Sequence, residues 1–428
     1  MNRRSRVRTS AAAAAALALA ATSLGSATTA EAKPQEHRAP RPCPTLTVSE
    51  GWYGDNKARV DALVADHCRD KGRKPVAVFD WDNTVIKNDV GDATLYWLLR
   101  NDRVRPPRNG DWSTTSRYLT PAAAAALGDA CPSRVRTLPT ATATDTRCAD
   151  EILAVYGTGA TSGGADAFAG FDHRRMEPQY AWLAQLLRGW TTREVESFAA
   201  AARAENLAAP QGATQRVGTA RVTGWVRYYP QQRDLIRTLR AAGFDVWIVS
   251  ASPEPVVDVW AKGVGVQPSH ALGIRNTTDH GRLTAHLKGC GTVRDGEDGM
   301  ITYIDGKRCW INQEIFGVRG PAAERVQPAS RRQVFAAGDS DTDISFLRDA
   351  TGLRLVLNRN KNELMCRAYE NGDGRWIVNP MFIEPKQRKT TPYPCATTGY
   401  TAPDGTAEPV RRPDGSVIPD QSDRVFPS

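Results

Sequence analysis

Two cysteine arrangements are missing from this sequence: it has no CxxC pair and no cluster of cysteine with histidine. A structural zinc site needs such a cluster, so the eight cysteines are left for another use. Histidine is sparse, at six residues in 428. No block of lysine or arginine is present of the kind that marks a nucleic-acid surface, although the formal net charge is +9. Beyond an alanine and leucine run near the N-terminus, no apolar stretch reads as a membrane span. These gaps exclude nucleic-acid binding and membrane-spanning classes. The 41% hydrophobic content is enough for a real core, which excludes a disordered chain.

The opening "MNRRSRVRTSAAAAAALALAATSLGSATTAEAK" puts Arg3, Arg4, Arg6 and Arg8 ahead of the apolar run and closes on Ala30-Glu31-Ala32. That pattern predicts a secretory signal peptide, residues 1–32, and hence a secreted protein. Cleavage would remove the four arginines and Glu31, leaving a mildly basic chain. Export permits disulfides. Taken in chain order, the cysteines form four neighbouring pairs that close loops of modest size: Cys43–Cys68, Cys131–Cys148, Cys290–Cys309 and Cys366–Cys395.

Periodicity divides the rest. A helix is expected from about Asp55 to Asp70, with Val60, Leu63, Val64 and Cys68 on one face. A strand, Val76 to Phe79, follows. Residues 91–229 read as a mainly helical insertion, in which Thr191 and Glu194 form a capping-box pattern. Pro230 is placed for a helix start and Gly243 for its stop, ahead of the strand Phe244 to Val249 and a helix from about Glu254. The rhythm recurs with strands Val334 to Ala337 and Leu353 to Leu357. Strand, helix and strand in succession predict an α/β fold with a doubly wound parallel sheet, built from residues 33–90 and 230–385. Within it, residues 264–330 read as hairpins and loops held by Cys290 and Cys309. Residues 386–428 form a proline-rich tail, expected to be partly disordered and anchored through Cys395.

Three of these strands end in polar residues at one sheet edge, where ligands bind in open parallel sheets. Asp80 and Asp82 end "VAVFDWDNT", Ser250 follows "VWIV", and Asp339 with Asp343 lies in "GDSDTD". Converging carboxylates repel one another unless a cation neutralises them, and an all-oxygen set suits magnesium. With a metal to lower the repulsion, one carboxylate can attack a phosphate and a second can carry the leaving group's proton.

"DWDNT", "VSASP", the lysine of "YIDGKR" and "GDSDTD" together resemble, in order, the four motifs of the haloacid dehalogenase superfamily. The resemblance spans roughly residues 75–385 and implies a helical cap inserted after the first strand. It implies Asp80 as nucleophile and Asp82 as general acid and base. Ser250 and Lys307, with Thr84, would hold the phosphoryl group. Asp80, the backbone carbonyl of Asp82, and Asp339 would ligate Mg2+, with Asp343 supporting. Lys288 in "HLKGCG" is the competing phosphate lysine. Asp341 reads as a helix-start acid, and His173 and His270 as structural residues. An acid at Asp82 marks ester hydrolysis rather than dehalogenation within the superfamily.

The closest likeness within the superfamily is to secreted bacterial phosphorylcholine phosphatases, through "DWDNTVIKNDVGDATLYWLL" and "VSASPEPVV". It implies a small phosphate ester as substrate, with Asp89 and Asp92 facing a quaternary ammonium. Trp81, Tyr96, Trp97, Tyr180 and Trp182 are available as aromatic faces for such a head. The alternatives are phosphoserine, a broad set of small phosphomonoesters, or a silent secreted protein that binds quaternary amines.

Overall fold

The computed structural model describes residues 42–69, 72–132 and 140–427. The expected signal peptide lies outside the described residues. Helix α1 (Asn56–His67) buries Val60, Leu63 and Val64 and leads into strand β1 (Val76–Phe79). Five helices follow: α2 (Val90–Arg100), α3 (Pro121–Ala130), α4 (Thr146–Thr158), α5 (Pro178–Leu186) and α6 (Thr192–Ala208). The Thr191 and Glu194 side chains close a reciprocal capping box at the start of α6. After a hairpin of Thr214–Val217 and Ala220–Thr223, the chain returns to the core through α7 (Pro230–Ala241), β2 (Asp245–Pro253), α8 (Glu254–Ala261) and β3 (Ala271–Ile274). It finishes with α9 (Asp305–Glu314), β4 (Phe335–Gly338), α10 (Ile344–Asp349), β5 (Arg354–Asn358), α11 (Asn362–Glu370) and β6 (Trp376–Pro380).

The six strands pair in parallel in the order β6-β5-β4-β1-β2-β3. Side chains alternate across a strand, so Ala77 and Phe79 enter one hydrophobic core and Val76 and Val78 the other. Burial on both faces is why β1 reads as an unbroken apolar run. From β1 the chain winds outward to β2 and β3, then returns to lay β4 on the other side of β1. That reversal puts the carboxyl ends of β1, β2 and β4 side by side at the switch point.

Two expectations need correction. Residues 264–330 are more than hairpins and loops, for they supply β3 to the main sheet and helix α9. A four-residue apolar run such as "ALGI" carries no usable period, and α9 has no side-chain cap to announce it. The hairpin in this segment, Asn276–Asp279 with Arg282–Leu287, bonds to the helical insertion: Gly189 N–H donates to Leu283 O at 2.7 Å, and Leu283 N–H to Trp190 O at 2.8 Å.

The tail after residue 385 is ordered. Tyr393, Cys395, Val410 and Ile418 are buried in the core that includes α11, and the Tyr369 hydroxyl donates to Asp423 at 2.6 Å. Low average hydrophobicity concealed a few deep anchors. Four disulfides, Cys43–Cys68, Cys131–Cys148, Cys290–Cys309 and Cys366–Cys395, account for all the cysteines, and the last ties α11 to this segment. Among the described residues, no helix is long and apolar enough to cross a membrane.

Candidate active site

Asp80 follows β1 directly, and its N–H donates to Ala337 O of β4 at 2.9 Å, which fixes the backbone at the sheet edge. Lys307, delivered by α9 and wholly buried, donates to Asp80 Oδ1 at 2.6 Å and to Asp343 Oδ1 at 2.7 Å. Burial pushes the Asp80 carboxyl well above the usual carboxylate range, with Asp343 adding and Lys307 opposing. Burial also works against the Lys307 ammonium, but the charges of Asp343 and Asp80 hold its pKa above the ordinary lysine value. The Asp343 Oδ2 atom accepts the N–H groups of Asp339 and Ser340 at 2.9 and 3.1 Å. This approach requires glycine at 338, because a Cβ there would stand 2.7 Å from Asp343.

The Thr84 hydroxyl lies 3.0 Å from Asp80 Oδ2 and 2.7 Å from Asp339 Oδ1. One hydroxyl has one proton and can donate to only one of them at a time. Asp80, Asp339 and Asp343 are buried and offer oxygens within 4.8 Å of one another. The set is all oxygen, which fits a hard cation such as Mg2+. Asp343, with both oxygens engaged by nitrogen donors, serves as support for that set. Thr84 binds these carboxylates and is absent from the cavity lining.

Asp82 points to a different set of partners. Its Oδ1 accepts Val90 N–H at 2.8 Å, and its Oδ2 accepts the hydroxyls of Ser252 at 2.8 Å and Ser250 at 3.2 Å. Burial, with the charge of Asp89 adding, raises its pKa well above the usual value. Burial thus favours the protonated, donating form of this carboxyl. Ser250 is fully buried and holds Asp82 and the Ser252 N–H, whereas Ser252 lines the cavity.

Asp80 and Asp82 open into a cavity of about 510 Å³ between sheet edge and helical insertion. Asp89 and Asp92 line it, as do Tyr96 and Tyr180. Asp89 caps α2 by accepting Asp92 N–H at 3.0 Å, and Asp92 accepts the Tyr156 hydroxyl of α4 at 2.8 Å. Burial, with the Asp92 charge adding, lifts Asp89 to about 7; burial lifts Asp92 to about 6. Lining residues that the sequence did not mark include Tyr156, Trp225, Arg359 and Glu177, whose carboxyl burial raises to about 7. They lie outside the motif strings, and no local pattern marked them.

Trp81 is a correction: it is fully buried outside the cavity, edge-on to Tyr228 at 6.2 Å between ring centroids. Trp97 stacks on Phe198, and Trp182 packs against Phe168 and Trp112, so neither faces the cavity. Lys288 pairs with exposed Asp295 at 2.6 Å, away from these carboxylates. Asp341 caps a helix, accepting Leu364 N–H of α11 at 2.8 Å. His270 bridges to Asp245 at 3.0 Å and lies against Trp247.

Residues 160–348 match the family model of the haloacid dehalogenase-like hydrolases. That segment is similar to the haloacid dehalogenase-like hydrolases, and the parallel α/β sheet around it agrees with that likeness. The match takes in Ser250, Lys307, Asp339 and Asp343, and the geometry joins Asp80 and Asp82 to them. Among solved structures, the chain is similar to a conserved, functionally unknown protein from Anaerococcus prevotii DSM 20548. Identity is 20% over 77% of this chain and 92% of that one, with a TM-score of 0.56, a likeness of fold. A protein of unknown function from Bordetella pertussis Tohama I matches at 17% identity over 72% of this chain and all of that one, TM-score 0.41. A substrate-bound phosphoserine phosphatase matches at 13% identity over 67% and 87%, TM-score 0.29. No curated protein sequence matches the chain.

Proposed function

We propose that this protein is a secreted, Mg2+-dependent phosphomonoesterase whose substrate has a cationic leaving group, phosphocholine or a close relative. One observation carries the reading: a lysine-held carboxylate, Asp80, and a raised-pKa carboxyl, Asp82, open together into a cavity lined by acids and aromatic rings.

In the first step an Asp80 carboxylate oxygen attacks phosphorus. The ester P–O bond breaks, its electron pair stays with the leaving oxygen, and the Asp82 carboxyl supplies the proton. In the second, Asp82, now a carboxylate, takes a proton from water as the water oxygen attacks the aspartyl-phosphate. The bond to Asp80 breaks and inorganic phosphate leaves. Lys307 orients Asp80 and favours its carboxylate form against the burial that opposes it. Ser250 and Ser252 hold the Asp82 carboxyl towards the leaving group. Asp80 and Asp339, with the Asp82 carbonyl, would hold Mg2+. When bound, the ion offsets the repulsion between carboxylate and phosphate.

Asp89, Asp92 and Glu177, with Tyr96, Tyr156, Tyr180 and Trp225, suit a trimethylammonium head, each cation–π contact contributing about 0.5–2 kcal/mol. The carboxylate of phosphoserine would meet the same three acids and be repelled. The test is phosphate release from p-nitrophenyl phosphate, phosphocholine and phosphoserine, with Mg2+ and with chelator, alongside Asp80→Asn. Absence of metal-dependent release by the wild type would overturn the enzyme reading. A kcat/KM for phosphoserine equal to or above that for phosphocholine would overturn the leaving-group assignment alone.

A further inference from the structure

Among the described residues lining the catalytic cavity, five are acids, Asp80, Asp82, Asp89, Asp92 and Glu177, and one is a base, Arg359. Lys307 is not in the lining; it is sealed behind Asp80 and Asp343. A phosphomonoester is close to a dianion at neutral pH, and those of these acids that are ionised oppose its entry. A cation that faces the cavity itself is the group best placed to counter this.

Arg359 comes directly after Asn358, the last residue of β5, so the strand next to β4 delivers it to the same edge as Asp339. Its Nη1 donates to Asp339 Oδ2 at 2.6 Å, and its side chain remains 27% exposed. Nη2 and Nε have no hydrogen-bond partner among the described residues. A guanidinium carries five N–H donors in a planar fork. One edge is used on Asp339, which fixes the plane and leaves donors for an oxyanion.

We infer that Arg359 is a substrate-binding residue that donates to the non-bridging phosphoryl oxygens while its other edge holds Asp339. The inference rests on the phosphomonoesterase reading and adds to it a cation from β5, outside the four motif strings.

The experiment titrates inorganic phosphate into wild type, Arg359→Ala and Arg359→Gln by calorimetry at saturating MgCl2, and measures KM for p-nitrophenyl phosphate. Loss of charge-assisted hydrogen bonds of this kind weakens binding by about tenfold to a hundredfold. Both variants are expected to bind phosphate at least about tenfold more weakly, with KM raised in parallel. Arg359→Gln retains a donor for Asp339 and decides the matter if Arg359→Ala does not fold. Phosphate affinity equal to wild type at saturating Mg2+, with only the half-saturating Mg2+ concentration raised, would show that Arg359 merely holds Asp339 and would overturn the inference. A wild type that neither binds phosphate nor releases it from p-nitrophenyl phosphate would instead overturn the underlying reading.

Discussion

Lys307 donates to Asp80 at 2.6 Å across a separation of 227 positions, with no water-exposed surface of its own. The same ammonium reaches Asp343 at 2.7 Å, so one positive charge is shared between two buried carboxyl groups.

Removing the ammonium leaves two carboxylates buried without their counter-charge. Lys307→Met is therefore expected to lower stability by about 3–5 kcal/mol, measured by urea unfolding, and to abolish turnover. A loss below about 1 kcal/mol would mean the site relaxes around the vacancy.

Asp82→Asn removes the proton donor of the first step and the base of the second. Steady-state kcat should fall by about 10²- to 10⁴-fold on alkyl phosphates. The p-nitrophenolate ion leaves without a proton, so the first step survives on p-nitrophenyl phosphate. Rapid mixing should show a burst of p-nitrophenol near one per enzyme followed by slow turnover; a linear trace from zero time would contradict the assigned roles.

Asp89 at about 7 and Asp92 at about 6 give the cavity a pH response. Asp82, Arg359 and Tyr180 face this pair, with Tyr96 and Tyr156 bonded to Asp92. Both pKa values are raised in the fold, so the folded protein binds more protons than the unfolded chain between pH 4 and 7. This contribution to stability is complete below about pH 4 and is lost as pH rises through 7. Asp89→Asn should therefore gain stability relative to wild type as pH rises from 4 to 7, followed by thermal melting. Choline, as a competitive inhibitor, should do the reverse and bind better as the acids ionise; a flat inhibition constant from pH 5 to 8 would exclude them from its site.

The Cys366–Cys395 bridge links α11 to the ordered C-terminal segment, closing a loop with a sequence separation of 29. Replacing both cysteines with serine should cost about 2–4 kcal/mol in guanidinium unfolding. Unchanged stability would show that Tyr393, Val410 and the Tyr369–Asp423 bond anchor this segment unaided.

What could be read directly was local. Val76 to Phe79 ended in Asp80 because a strand buried on both faces must be apolar and its end meets solvent, and Phe335 to Gly338 gave Asp339 the same mark. Thr191 with Glu194 announced the start of α6 through hydrogen bonds spanning one turn. Neighbouring cysteines named their own pairs because short loops close most readily.

Only the tertiary structure chose Lys307 over Lys288, since both are lysines in glycine-containing loops until α9 forms and one is buried between Asp80 and Asp343. It buried Trp81 beside Tyr228 and brought Tyr156 from α4, Glu177 from the start of α5 and Trp225 from the segment after the Ala220–Thr223 strand into one cavity. It also drew Asp423 across the end of β5 to Tyr369 and Asn358, ordering a tail that its composition left loose. Backbone hydrogen bonds and caps act over a few residues and leave a period in the sequence. Packing and charge pairing act between distant segments, and only the fold reveals which ones meet.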